Sequence, residues 1–183
     1  MGIHTKVNIP KFWIGSAIVV AMIVGAGTAY ILKSPDVTIT NPTSTVGEIT
    51  ITGYLIEPRG NKFVAVPVPV KAKNNQDAIA TALNQIITTK SDNLYSAIPT
   101  DTKVLDLRVT GNDIYLNLSK QFTSGGGSDS MRGRLIQLLY TATSLNPNAN
   151  LFLSVEGKPL DYLGGEGLEV SQPLRRQNFS LEF

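Results

Sequence analysis

The chain has 183 residues, 42% of them hydrophobic and 16% charged, with a formal charge of +2, one histidine and no cysteine. The missing cysteines exclude disulfides, thiolate nucleophiles, Cys-ligated metals and lipidated cysteine, and the lone His4 sits in the N-terminal tail, away from any folded triad or His-ligated metal. With Lys6, Lys11 and Lys33 set aside, 13 basic groups face 14 acidic ones, and the pairs Lys71/Lys73, Arg132/Arg134 and Arg175/Arg176 do not make the clustered charge of a nucleic-acid interface.

Residues 1–12 read as a short cytoplasmic tail. Residues 13–32 (WIGSAIVVAMIVGAGTAYIL) carry no charge. Twenty residues at about 1.5 Å rise span roughly 30 Å, the thickness of a bilayer's hydrocarbon core. Trp13 and Tyr30 mark its ends, where amphipathic rings settle at headgroup level. Lys6 and Lys11 precede it without an acid, whereas Lys33 is offset by Asp36, so the positive-inside rule keeps the tail in the cytoplasm and exports residues 34–183. The competing reading is a cleaved signal peptide, but the apolar stretch exceeds the 7–15 residues usual for one. Ala17, Ala21, Gly25 and Ala29 recur every four residues as a small-residue stripe of the kind that lets two membrane helices approach, an expectation of self-association through the anchor.

Residues 33–47, rich in Thr, Ser and Pro, read as an extended spacer, and 48–183 as one folded domain. Residues 49–56 alternate as a strand does. In residues 62–71 Val64, Val66, Val68 and Val70 share one parity and Pro67 and Pro69 the other, which predicts an edge strand whose proline side is unpaired. Residues 75–89 change to a helical period through Ile79, Ala82, Leu83, Ile86 and Ile87, with Asn74 or Asn75 as cap.

Two alternating runs, 103–110 and 113–118, flank Gly111-Asn112 and predict a hairpin in which Leu105, Leu107 and Val109 share a face. Asp106 and Asp113 decorate its solvent side, with Arg108 as a cross-strand partner of Asp106. A second helix comes after Gly125-Gly126-Gly127-Ser128, with the stripe Met131, Leu135, Leu138, Leu139, Ala142 and Leu145 and a stop at Asn146-Pro147; Gly133 inside it marks close packing. Residues 151–156 predict a central strand turning at Gly157, and a glycine loop leads to a short strand near Leu168 to Val170. The order ββαββαββ gives an α+β fold: two helices packed on a small mixed or mainly antiparallel sheet.

The GGGS stretch lacks the Lys and Ser/Thr of a phosphate-binding loop, and Asp129 sits where phosphate would be; it reads as a loop ending in a Ser or Asp helix cap. Gly164, Gly165, Glu166 and Gly167 form either a tight turn or a loop able to approach a partner closely, and they are the candidate interaction residues of the domain. The carboxylates Asp106, Asp113, Glu156, Asp161 and Glu169 show no spacing that singles out a catalytic pair. Aromatic residues are too sparse to show a sugar-stacking platform.

Several stretches resemble the GerMN domain, also called the sporulation and spore germination domain: SAIPTDTKVLDLRV, IYLNLSKQF, GGGSDSMRGRLIQLLYT, FLSVEGKPLDYLGGEG and PLRRQNF, spanning residues 96–179, and less distinctly LNQII and VPVPVK. The resemblance implies an exported, membrane-attached protein of the bacterial envelope, with a fold similar to the ring-building modules of envelope-spanning secretion assemblies and no known catalytic residues. The positions it carries over, Ile98, Pro99, Leu118, Ser119, Phe122, Gly157 and Gly164, are structural. The chain departs from the family's namesake in lacking a lipobox cysteine, so that its anchor would be the helix, and in holding one copy of the domain rather than two.

The expected function is therefore non-catalytic: a membrane-anchored envelope module for protein association, with itself or with envelope partners, in a sporulation or germination setting. No cofactor, metal or nucleic acid is expected. The alternatives are an envelope glycan (peptidoglycan) binder and, third, a carboxylate-based envelope hydrolase.

Overall fold

The computed structural model describes residues 48–165 and 167–183. The tail, the membrane segment, the spacer, the stripe Ala17/Ala21/Gly25/Ala29 and Glu166 all lie outside the described residues. Among those described, no helix is long and apolar enough to cross a membrane.

The first alternating runs form β1 (Ile49–Arg59) and β2 (Lys62–Ala72), an antiparallel hairpin in continuous register from Ile49↔Ala72 to Arg59↔Lys62. Its Ile51, Leu55 and Val70 are buried. Helix α1 (Asn75–Thr88) packs on this face through Ala78, Ile79, Ala82, Leu83, Ile86 and Ile87, and Asn74 caps it by accepting from the Asp77 N–H. Gly53 lies beneath the helix, where a Cβ would sit 2.7 Å from Ile86 Cγ2 and 3.2 Å from Val70 Cγ2, so glycine sets the helix–hairpin spacing.

The second hairpin, β3 (Val104–Thr110) and β4 (Asp113–Leu118), is antiparallel; β5 (Asn150–Val155) lies parallel to β4, and β6 (Lys158–Pro159) antiparallel to β5. A parallel neighbour requires a crossover, and the chain between β4 and β5 supplies it as α2 (Ser128–Ala142). Two short strands, β7 (Tyr162–Leu163) and β8 (Leu168–Glu169), form a last hairpin.

The α+β class with two helices and mixed sheets thus matches the sequence reading, but the strands divide into three sheets. The physical reason is that both outer edges of the first hairpin are occupied. On β1, Ile56 exchanges backbone hydrogen bonds with Tyr95. On β2, the Phe63 N–H donates to Phe183 and the Ala65 N–H to Leu181. That cover ends one step before Pro67, and neither Pro67 nor Pro69 has an N–H to offer on this side, so β2 is an edge along its proline stretch. Lys62 and Glu182 form an ion pair there, and the hydrogen bond from Lys62 together with its charge holds the Glu182 carboxyl below its ordinary value.

Helix α2 joins the sheets. Every residue from Gly133 to Ala142 is buried, so the helix has two inward faces. One is the expected apolar stripe, which belongs to a single core cluster shared with α1, β1, β4 and β5. The other is polar: Arg134, Gln137 and Thr141, spaced three and four apart and 3%, 0% and 0% exposed. Arg134 donates to the carbonyls of Ala97, Phe122 and Gly125. Gln137 accepts from the Ala97 N–H and donates to the Tyr54 carbonyl, and Thr141 Oγ1 accepts from the Tyr54 N–H. Three side chains therefore satisfy six backbone groups that no ladder reaches, and those that are buried would each cost about 1–3 kcal/mol unpaired. Burial pushes the Arg134 guanidinium below its ordinary pKa, and carbonyl oxygens are the acceptors that compensate it.

Both ends of α2 correct the sequence reading. Gly127 is the N-cap and makes no side-chain cap bond, so Ser128 and Asp129 lie inside the first turn. The helix stops at Ala142, three residues before Leu145, and Arg176 serves its end by donating to the Tyr140 carbonyl of the last turn and to Oγ1 of the C-cap Thr143. Gly133 does mark close packing: a Cβ there would lie 3.1 Å from Ala97 Cβ and 3.2 Å from the Phe183 ring.

Two substitutions test this packing. Arg134→Lys, whose ammonium cannot fork to three carbonyls, lowers stability in urea by about 2–4 kcal/mol, and an unchanged midpoint would contradict the assignment. Gly53→Ala places a methyl against the stiff, buried Ile86 and costs about 1–3 kcal/mol by the same measurement; a neutral result would show that α1 is free to move outward.

Candidate interaction site

Strand β3 lies at the end of the four-stranded sheet and pairs with β4 alone. Gly111, at φ +59°, occupies the first position of the two-residue turn, the backbone that a type II′ hairpin demands. The turn is tied down from the far side of α2: Asn146 donates to Asn112 Oδ1, and Asn112 donates to the Asn148 carbonyl. This fixes the hairpin end while leaving the length of β3 exposed.

The expected apolar face of β3 is only partly covered. Leu107 is half-buried, whereas Leu105 and Val109 are 47% and 55% exposed. Leu105 is displaced by a bulge between Val104 and Asp106. Leu107, Val109, Ile79, Ile114, Leu145 and Ala149 line a cleft of about 420 Å³, with Leu145 at its rim 49% exposed. An open strand edge beside an apolar cleft is what protein segments recognise by strand addition.

The other face of this sheet carries a cross-strand row. Arg108 lies 4.8 Å over the Tyr115 ring, and Tyr115 stacks on Phe152 at 5.0 Å and 12°. Arg108 is thus a partner of Tyr115 and not of Asp106, which makes no ion pair among the described residues. Phe152 borders a second cleft of about 300 Å³ together with Pro159, Asp161 and Gln172. The Tyr115–Phe152 pair was hidden in the sequence because parallel partners 37 positions apart are defined only by the crossover. Its one signal is that each aromatic interrupts the apolar parity of its strand.

The glycine loop is placed as the β7–β8 turn. Gly164, at φ +77°, sits against Met131 of α2, whose Cε would lie 1.9 Å from an added Cβ, and its carbonyl accepts from the Gly167 N–H. Gly164 is thereby a packing position, while Gly165 and Gly167 are exposed. The turn and the β3 cleft share no lining residue.

The GGGS stretch wraps a guanidinium instead of a phosphate: the Gly125 carbonyl accepts from Arg134, and a Cβ on Gly126 would lie 2.7 Å from Arg134 Nη2. Among the carboxylates, Glu156 accepts from the Lys120 N–H and Asp113 from the Asn150 side chain, both structural ties between neighbouring elements. Among the described residues no group of three or more His, Asp or Glu is gathered so as to hold a metal ion. Tyr95, on the chain beside β1, has its phenol pKa raised by burial and secondarily by Asp129.

The sequence from 52 to 161 matches the family model described as Germane, sporulation and spore germination, over more than half of the chain. The fold is similar to the first GerMN domain of the sporulation protein GerM from Bacillus subtilis, with a TM-score of 0.59 at 17% identity, covering 70% of this chain and 98% of that one. It is also similar to the tandem GerMN domains of the same protein, with a TM-score of 0.54 at 16% identity, covering 75% of this chain and 49% of that one. No curated protein matches the chain. The resemblance is thus confirmed over residues 96–161, and the chain belongs to the Germane family of sporulation and spore germination domains.

Proposed function

We propose that the protein is a non-catalytic, membrane-anchored module of the cell envelope whose GerMN-like domain binds other protein surfaces, in a setting related to sporulation or germination. Residues 13–32 serve as the anchor, with the N-terminus cytoplasmic and residues 48–183 outside. The observation that carries this reading is the contrast between interior and edge. The buried polar side chains Arg134, Gln137 and Thr141 all bond backbone, so they build the scaffold and leave no poised acid–base pair among themselves. The β3 edge and its apolar cleft, by contrast, remain open to a partner.

A second reading, binding of envelope glycan, is favoured by one feature: Phe152 offers a ring beside Asp161 in the second cleft, a pairing of apolar face and polar group that suits a sugar. A hydrolase would instead need Glu156 or Asp161 as acid and base.

The full chain in mild detergent separates these readings. For the protein module, Val109→Asp abolishes association seen by sedimentation while thermal unfolding is unchanged. Co-sedimentation with purified cell wall that Phe152→Ala removes, with Val109→Asp silent, would replace it with the glycan reading, and wall turnover lost on neutralising Glu156 or Asp161 would establish the hydrolase.

A further inference from the structure

We propose that the partner of the β3 edge is a second copy of this chain, joined by antiparallel pairing of β3 with β3 about a two-fold axis through Leu107. This deepens the protein-binding reading above and rests on it.

The first ground is the direction of the backbone groups. The carbonyls of Asn112 and Leu118 accept from the N–H groups of Asn150 and Glu156, so the even-numbered groups of β4 face β5 and the odd-numbered ones face β3. Asp113, Tyr115 and Asn117 therefore bond Thr110, Arg108 and Asp106, their register partners. That leaves the N–H and C=O of Leu107 and Val109 pointing outward, and no described residue bonds them from that side.

The second ground is charge. Pairing must set outward groups against outward groups, which limits the two-fold registers to steps of one residue in the axis. With the axis at Leu107, Asp106 lies opposite Arg108 of the second copy and Arg108 opposite its Asp106, in the close, non-hydrogen-bonded positions. With the axis at Arg108, arginine meets arginine; with the axis at Asp106, aspartate meets aspartate. A single register is thus complementary, and it also brings the exposed Val109 under the second copy's strand. Asp106 and Arg108 are both exposed, and neither makes an ion pair among the described residues.

The third ground is the contrast with the other edges. β2 is closed by Pro67, Pro69 and the C-terminal residues, and β6 has two residues, one of them Pro159. β3 has seven residues, no proline and no like-charged pair. An edge protected against pairing carries charges of one sign, whereas Asp106 and Arg108 at i and i+2 are self-complementary under a two-fold axis.

The absence of native cysteine makes the test clean. In the proposed register the two Leu107 Cα atoms are about 5.5 Å apart, within disulfide reach, while the two Asp106 atoms, and likewise the two Arg108 atoms, are offset by about 7 Å along the strand and out of reach. Under mild oxidation of the full chain in detergent, Leu107→Cys yields a covalent dimer at least about tenfold faster than Asp106→Cys or Arg108→Cys. Asp106→Arg or Arg108→Asp alone lowers association of the cysteine-free chain about tenfold, and the double reversal Asp106→Arg/Arg108→Asp restores it. The reversals lie at exposed positions, so they decide the question even where Leu107→Cys perturbs folding. Equal crosslinking at all three positions, or a double reversal no better than the singles, overturns the proposal. A chain that stays uncrosslinked at Leu107 yet still loses a larger envelope assembly through Val109→Asp overturns self-pairing and leaves the module reading intact.

Discussion

The fold depends on the polar side of α2. A helix placed between two sheets must bury nearly its whole circumference, and here ten consecutive residues are inaccessible. An all-apolar helix would fill that space but would leave backbone groups of Tyr54, Ala97 and Phe122 without these partners. Arg134, Gln137 and Thr141 resolve this by acting as a substitute strand, supplying donors and acceptors where no ladder can form. Gln172 does the same for the outer edge of β5, with hydrogen bonds to both the N–H and the carbonyl of Leu153. Such ties exact a geometric condition: the segments they hold can sit at one position only, because a shift of one residue would leave charged or amide groups unpaired in a low-dielectric interior.

The same logic explains why the open strand edge lies at the sheet's end. Edges that the interior needs are closed by side chains, by the C-terminal residues or by proline. β3 lies outside that closure, at the end of the sheet with β4 as its neighbour. The hairpin turn is clamped by Asn112 and Asn146, so the strand is held rigid while its outer groups stay exposed. A rigid, pre-extended edge orders little on binding and keeps the entropic cost of association low.

Much of the architecture was legible in sequence because local period and turn chemistry act over a few residues. The α1 face, the Asn74 cap, Gly111-Asn112 and the unpaired Pro67/Pro69 side all arise from such rules, and the family resemblance lay in the same stretches. What escaped was non-local. The apolar period ran on to Leu145, yet α2 ends at Ala142, where its last turn is bonded by Arg176, more than thirty positions away. Arg108 looked like a partner for Asp106 until β4 set Tyr115 beside it. The division into three sheets was invisible because the closure of the first hairpin comes from Tyr95, α2 and the C-terminal residues. Alternation across Leu105, Leu107 and Val109 was visible, but the bulge that displaces Leu105 was not.

The most direct measurement is native-state hydrogen exchange at two amides that belong to no regular ladder, those of Tyr54 and Ala97, which donate to Thr141 and Gln137. If the polar side of α2 holds the two halves together, both amides exchange only with the global unfolding that also releases the buried amides in the middle of α2. If they exchange instead as fast as the exposed chain around Leu145, the side chains of α2 merely fill space, and the account of what joins the sheets is wrong.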